Sequence, residues 1–356
     1  MSPEGKKPIA IDAMGADKGP EEVIAGVRFA LDQGFVPEGV VLVGLEDILQ
    51  PLLVKAGLSS DARVNTFHAS QIIRMDEKPI QSLKEKKDSS LIRAVEMVKL
   101  GTCAAAVSCG NTGALMAGST LRLRPLEGVS KPALASVWPS KDRHFVVLDS
   151  GANPQCKPEN LVHYAVLGHN FAKTALGLSK PRVGLLSIGT EEGKGTDLTN
   201  ETHRLLRGLG DQIEYVGLIE GFQLFGNDVD VVVTDGFTGN VVLKTCESLW
   251  KMLKGLVKEE VKKNPMRLTG ALLLRGAGKS ARRRLDPDLF GGAPLLGLRG
   301  TVLKAHGSSG CEAIAHAIRI ASKVVRQDLN AQILADISRA NQSIRARSLH
   351  PEEAAK

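Results

Sequence analysis

The chain has 356 residues, 43% of them hydrophobic and 4% aromatic, with 37 glycines scattered along it; it can bury a large core, and disorder is excluded for its body. Its 46 basic and 39 acidic residues leave a formal charge of +7, a mild excess that favours an acidic partner. No zinc finger, RNP element or aromatic–basic interleave accompanies that charge, so nucleic acid is not expected as a partner.

Five cysteines without a C-x-x-C pair and no signal-peptide pattern at the N-terminus predict reduced thiols and a cytoplasmic setting. The eight histidines show no metal-ligand spacing, so no metal is expected.

Short apolar runs at 8–13, 39–43, 103–108, 144–149, 182–187, 229–234 and 301–305 read as strands. The charge-free stretch 100–121 is long enough for a membrane span. Its Gly101, Ser108, Gly110, Asn111, Thr112, Gly113, Gly118, Ser119 and Thr120 instead predict a strand, a polar turn and a small-residue helix. Amphipathic helical patterns follow at 158–176, after Pro158, and at 310–337, with Ile314, Ile318, Ala321, Val325, Leu329, Ile333 and Ile337 on one face. Apolar strands alternating with helices predict an α/β protein with a mostly parallel sheet covered on both faces.

In such sheets ligands bind beyond the carboxyl ends of the strands. Here those positions read DAMGADKGP (12–20), SCGNTGA (108–114), LDSGANPQCKPE (148–159), SIGTEEGKGTDL (187–198), TDGFTGN (234–240) and KAHGSSG (304–310). Each mixes glycines with Asp, Asn, Thr, Ser, His or Lys, and four lead into helical patterns whose free N–H groups suit an anion. Any one loop is ordinary turn chemistry. Six at successive strand ends point to a site. Two decoys fall away. GAGKS (276–280) has Leu273 where a phosphate-binding loop needs glycine, and GKGTDL (193–198) lacks the third glycine of a dinucleotide fingerprint. No nucleotide cofactor is expected.

Taken together, IDAMGAD (11–17), IRMDEKP (73–79), KKDSS (86–90), GNTGALMA (110–117), GAN and CKPE (151–159), GLLSIGTEEGKG (184–195), VVVTDGFTGNVVLKT (231–245), GGAPLLG (291–297) and HGSS (306–309) closely resemble the phosphate acyltransferase PlsX family, in family order from about Ile9 to Ala321. The departures are Ala16, Cys109 and Gly310-Cys311. The resemblance implies transfer of an acyl group from acyl carrier protein to inorganic phosphate. The acyl phosphate then passes to a glycerol-3-phosphate acyltransferase for phospholipid synthesis. It also implies a homodimer with a three-layer α/β/α fold, similar to phosphotransacetylases and isocitrate/isopropylmalate dehydrogenases. A single domain over 1–330 and a helical then polar tail over 331–356 are expected.

With phosphate as the nucleophile no acyl-enzyme is required; the site must bind a dianion, align it with a thioester and stabilise an oxyanion. Lys194, flanked by glycines, is expected to neutralise phosphate or oxyanion charge. Asn111 and Thr112 are expected to donate from a helix start, His306 to protonate the thiolate or hold phosphate, and Asp235 and Asn240 to orient the lysine or a water. Asp12, Gly15, Gly113, Asn153, Gly189, Thr190, Gly236, Thr238 and Ser308 complete the expected substrate-binding set. Which loop takes phosphate and which pantetheine stays open.

Segment 247–300 differs in kind. It carries an apolar helical face (Leu249, Trp250, Leu253, Leu256, Val257, Val261) and the basic run Arg282-Arg283-Arg284. That combination suits peripheral contact with an anionic membrane, a dimer interface, or docking of acidic carrier protein. Two other classes compete for the whole chain. A nicotinamide-dependent hydroxy-acid dehydrogenase needs a metal-binding aspartate constellation, and a non-catalytic membrane scaffold has no use for six polar loops.

Overall fold

A computed structural model describes residues 7–191, 193–285 and 292–349, with the side chains of 282–285 and 347–349 excepted. The order is β1 (Ile9–Asp12), α1 (Pro20–Asp32), β2 (Val40–Gly44), α2 (Glu46–Lys55), β3 (Val64–His68), α3 (Pro79–Glu85), α4 (Ser90–Lys99), β4 (Ala105–Ser108) and α5 (Thr112–Leu123). Then come β5 (Ala133–Leu134), β6 (Ser136–Pro139), β7 (His144–Leu148), α6 (Pro158–Leu176), β8 (Arg182–Leu186), α7 (Asp197–Arg207), β9 (Glu214–Ile219) and β10 (Val231–Val233). The remainder is α8 (Gly236–Lys262), α9 (Pro265–Leu273), α10 (Arg275–Leu285), β11 (Ala293–Leu296), β12 (Thr301–Lys304), α11 (Cys311–Arg326) and α12 (Leu329–Leu349).

The mostly parallel α/β organisation holds, and the strands divide between two sheets. One runs β3-β2-β1-β4-β12-β11-β5 and the other β6-β7-β10-β8-β9. Within them β1, β2, β3, β4 and β12 pair in parallel, as do β7, β8, β9 and β10; β5, β6 and β11 form the antiparallel pairings. Only Ala135 separates β5 from β6, so one short stretch of chain joins the two sheets at their edges.

The core is continuous across that join. Ile11, Val107 and Leu303 of the first sheet share one buried cluster with Val146, Leu185 and Val231 of the second. Helix α6 lies against β7 and β10 and also meets α11 and α12. Its pattern shows why it forms here: Pro158 pre-sets the first turn, the thirteen successive residues from Asn160 to Ala172 are all buried, and Gly177 ends it at φ 72°.

The expected helix over 310–337 is two helices. Asp328, at φ 46°, breaks the chain between α11 and α12, and the apolar face continues through Ile333, Ile337 and Ala340 on the second. Helix α12 is tied to the body: Asn341 meets His163 Nε2 at 2.8 Å, and Asn170 donates to Asp336 at 2.8 Å. Residues 100–121 form β4, a turn and most of α5, and no helix among the described residues is long and apolar enough to cross a membrane. GAGKS lies inside α10.

Candidate functional site

Strand order decides which of the six loops meet. Counting away from the β5–β6 join, β12 and β4 come early in the first sheet, and β7 and β10 come early in the second. The ends of these four strands and the segments that follow them line one cleft of about 290 Å³, to which they contribute Thr112, Ser150, Asn240, Lys304 and His306. Strands β1 and β8 lie farther from the join, and among the described residues neither following loop reaches this lining.

Lys304, the last residue of β12, is outside the set expected from sequence. It is 8% exposed, and its ammonium donates to the carbonyl of Cys109 at 3.3 Å and to that of Ala305. Burial pulls its pKa below the ordinary lysine value, against the opposing pull of Cys109, Asp17 and Asp12. Among the described residues its direct partners are neutral carbonyls, with Asp12 and Asp17 acting only from a distance, so an anion in the cleft would complement its charge. The usable signal was a lysine at the carboxyl end of an otherwise apolar strand, a position costly for a charge unless something binds it.

Three expected residues share that cleft. Thr112 opens α5 and is exposed to it. Asn240, the fifth residue of α8, is also exposed and has its amide beside Gly151. His306 accepts the Ser308 N–H on Nδ1 at 3.2 Å and meets Ser308 Oγ at 2.8 Å. With Nδ1 accepting, neutral imidazole carries its proton on Nε2, the nitrogen left for a ligand. Ser308 therefore orients the histidine.

Other expected residues serve the walls. Asn111 caps α5 through Ala114 N–H at 3.0 Å, and its amide spans the carbonyls of Arg74, Met75 and Glu77 at 3.3, 3.1 and 3.0 Å. Its side chain is fully committed. Asp235 caps α8, accepting from Thr238 N–H at 2.9 Å and Thr238 Oγ1 at 2.7 Å. Asn153 binds the Pro132 carbonyl and Asp149 at 2.7 and 3.1 Å. Asp12 is buried and accepts from Ser108 Oγ at 2.6 Å; burial raises its pKa. Gly15 and Gly236 are sites of close approach: a Cβ would stand 2.7 Å from Gly110 N and from Asn153 N, respectively. At Gly113 it would meet Pro79 at 2.6 Å. These glycines let loop pack on loop, so their absence of side chain is accounted for without a ligand.

Lys194, Gly189 and Thr190 sit in the β8 loop. The Lys194 side chain is 57% exposed and pairs with Glu191 at 2.7 Å, which holds its pKa above the ordinary value. The structure thus does not bring Lys194 together with His306 and Asn240. The reason is the place of β8 in its sheet.

Asp149, also unforeseen, stands where the sheets join. Its buried carboxylate accepts from the N–H groups of Leu134, Gly151, Ala152 and Asn153, pinning β5 to the loop after β7. All five cysteines are free, and burial pushes the Cys109 thiol, behind Lys304, up to about 12, far from a ready nucleophile. The run Arg282-Arg283-Arg284 lies outside the described side chains.

Residues 8–332 match the family described as Fatty acid synthesis protein. The chain is 42% identical over 330 residues to a phosphate acyltransferase of Acidobacterium capsulatum, covering 93% of this chain and 97% of the relative. A phosphate acyltransferase of Akkermansia muciniphila is 40% identical over 335 residues, covering 93% and 96%. The fold is similar to that of a phosphotransacetylase from Streptococcus pyogenes, with TM-score 0.62, 17% identity, and 91% and 95% of the two chains covered.

Proposed function

The chain belongs to the fatty acid synthesis protein family and is an acyltransferase acting on phosphate, and on that premise we propose that its acyl donor is acyl carrier protein and that its acyl phosphate product feeds phospholipid synthesis. The observation that carries the assignment of the site is the cleft that gathers Lys304, Thr112, Asn240 and His306 from both sheets. Lys304 neutralises phosphate, and the first N–H groups of α5, at Thr112 and Gly113, add the positive end of a helix. A phosphate oxygen attacks the thioester carbonyl and forms the C–O bond, giving a tetrahedral oxyanion whose collapse breaks the C–S bond and releases the carrier thiolate. The Asn240 amide stabilises the oxyanion between these events. His306 donates a hydrogen bond from Nε2 to phosphate or to the departing thiolate, which leaves without a proton because its pKa of about 8.5 demands little assistance.

The donor assignment draws support from the ordered sequence motifs and from the net charge of +7, which suits an acidic carrier. The product is consumed by a glycerol-3-phosphate acyltransferase. The helical arm α8–α10 supports two further parts of the reading, a homodimer and peripheral contact with an anionic membrane. Val257, Met266 and Leu273 on it are 63%, 81% and 83% exposed, an apolar surface that calls for a partner.

The test is to incubate the purified protein with acyl carrier protein thioester and phosphate and trap the product with hydroxylamine. Phosphate-dependent acyl hydroxamate is expected. None appearing, with the thioester shown intact at the start, would sink the reading.

A further inference from the structure

Met75 reaches the polar cleft from outside the four strand-end segments, on the loop between β3 and α3. It lines the cleft together with Lys304 and His306 and is 45% exposed. Its methyl lies against the loop after β12: a Cβ added to Gly307 would stand 2.8 Å from it. The side chain packs into none of the buried apolar clusters.

The backbone beneath Met75 is nevertheless tied down on both sides. Asn111 Nδ2 donates to the Met75 carbonyl at 3.1 Å and to those of Arg74 and Glu77. Lys86 donates to the Ile72 carbonyl at 2.8 Å and pairs with Glu77. Glu77 in turn accepts from Ser82 Oγ at 2.9 Å and from the Arg74 N–H at 3.3 Å. The flanking side chains of Arg74 and Asp76 are 74% and 78% exposed. So many polar ties hold one apolar side chain at the wall of a polar cleft, where it adds nothing to the core.

We propose that Met75 is a specificity-determining residue of the acyl transfer: its thioether covers the reacting carbonyl and keeps water from taking the place of phosphate. The inference rests on the acyl-to-phosphate reading of the cleft and adds the choice between two nucleophiles. In the competing reaction a water oxygen attacks the thioester carbonyl and the C–S bond breaks. The products are the free carboxylic acid and the carrier thiol, with the acid keeping the water's oxygen and the thiolate taking a proton. Water is far more abundant than phosphate, so the site must exclude it as well as bind the anion. Lys304 and the start of α5 serve the anion, but polar groups also hold water and cannot keep it out. A methionine can. Its thioether is only a weak acceptor, and its unbranched, freely turning side chain follows the shape of whatever lies beneath it.

The test starts from acyl carrier protein thioester with a radiolabelled acyl chain, at fixed phosphate, and counts free acid against acyl phosphate trapped as hydroxamate. Met75→Ala should raise the ratio of acid to acyl phosphate about tenfold, and Met75→Leu, which restores an apolar cover, should hold it within about twofold. Met75→Gln keeps the length but offers water an amide, and it should raise the ratio too. Denaturant melts of all three should coincide with that of the unsubstituted protein, because Met75 packs into no core. An unchanged ratio in the Ala and Gln variants, or an equal rise in the Leu variant, overturns the proposal. Failure of the unsubstituted protein to form any acyl phosphate marks instead the failure of the functional reading.

Discussion

Two lysines stand at the carboxyl ends of parallel strands, and their surroundings are opposite. Lys304 ends β12 and is buried, with two carbonyls for neighbours and a cleft in front of it. Lys194 lies in the β8 loop, more than half exposed, with its charge already matched by Glu191. Glycines flank Lys194 on both sides, which makes it conspicuous in a sequence; Lys304 is preceded by Thr301-Val302-Leu303 and looks like part of a strand. The difference teaches that an exposed, glycine-rich setting measures access to a ligand, whereas a buried charge with no carboxylate in direct contact measures need of one. Solvent screens the first lysine and leaves its pairing worth little. The second has been stripped of water and gains most from an arriving dianion.

The sharpest way to break the contrast is Lys304→Ala. We expect kcat/KM for phosphate to fall about 100-fold or more, the size of loss typical for a group that stabilises charge in a closed site. Steady-state assay against phosphate concentration measures it, and an effect below tenfold removes Lys304 from the site.

Asn111→Ala tests a residue whose sequence position points to ligand binding and whose contacts point to structure. Loss of the α5 cap and of three carbonyl bonds should cost about 2 kcal/mol of stability, read from denaturant melts. Substrate affinity in the folded fraction should change far less.

The pH dependence sharpens the Lys304 side. In the proposed function its charged form binds phosphate, and burial lowers its pKa, so the charge is lost below the ordinary value of 10.5. As pH rises through that lowered pKa, the KM for phosphate should climb, by up to about tenfold per unit. Stability moves the other way in the same window. The unfolded chain keeps the proton that the folded chain has lost, so this group makes folding more favourable as pH rises. Weakening affinity without parallel unfolding separates titration of the site from denaturation.

The smallest effect is expected at Lys194→Ala, within about twofold in kcat/KM, as for an exposed ion pair. A loss matching that of Lys304→Ala would reverse the comparison.

Much of the fold is legible in the chain because apolar periodicity reports burial directly. All seven expected strands are present, and 158–176 matches α6 to the residue. The unforeseen strands carry weaker signals. The edge strand β3 mixes Asn65, Thr66 and His68 with its apolar residues, β5 has two residues, and β9 is interrupted by Gly217. The break at Asp328 was hidden because the apolar face of α11 resumes on α12. At the site, Thr112, Asn240 and His306 were visible as polar residues after strands. Asn111, Asp235 and Asn153 looked alike in sequence and proved to be caps and ties, since Asn and Asp bind backbone groups as readily as substrate.

By itself, then, the sequence determined the class of fold, the strand-end loops and, through its ordered motifs, the family. Tertiary structure alone decided which loops act together. Residues 112, 150, 240, 304 and 306 meet because β4, β7, β10 and β12 lie near the join between the sheets. Strand order is set by long-range pairing, which no local pattern of residues encodes. The same pairing buried Lys304 and left Lys194 in water.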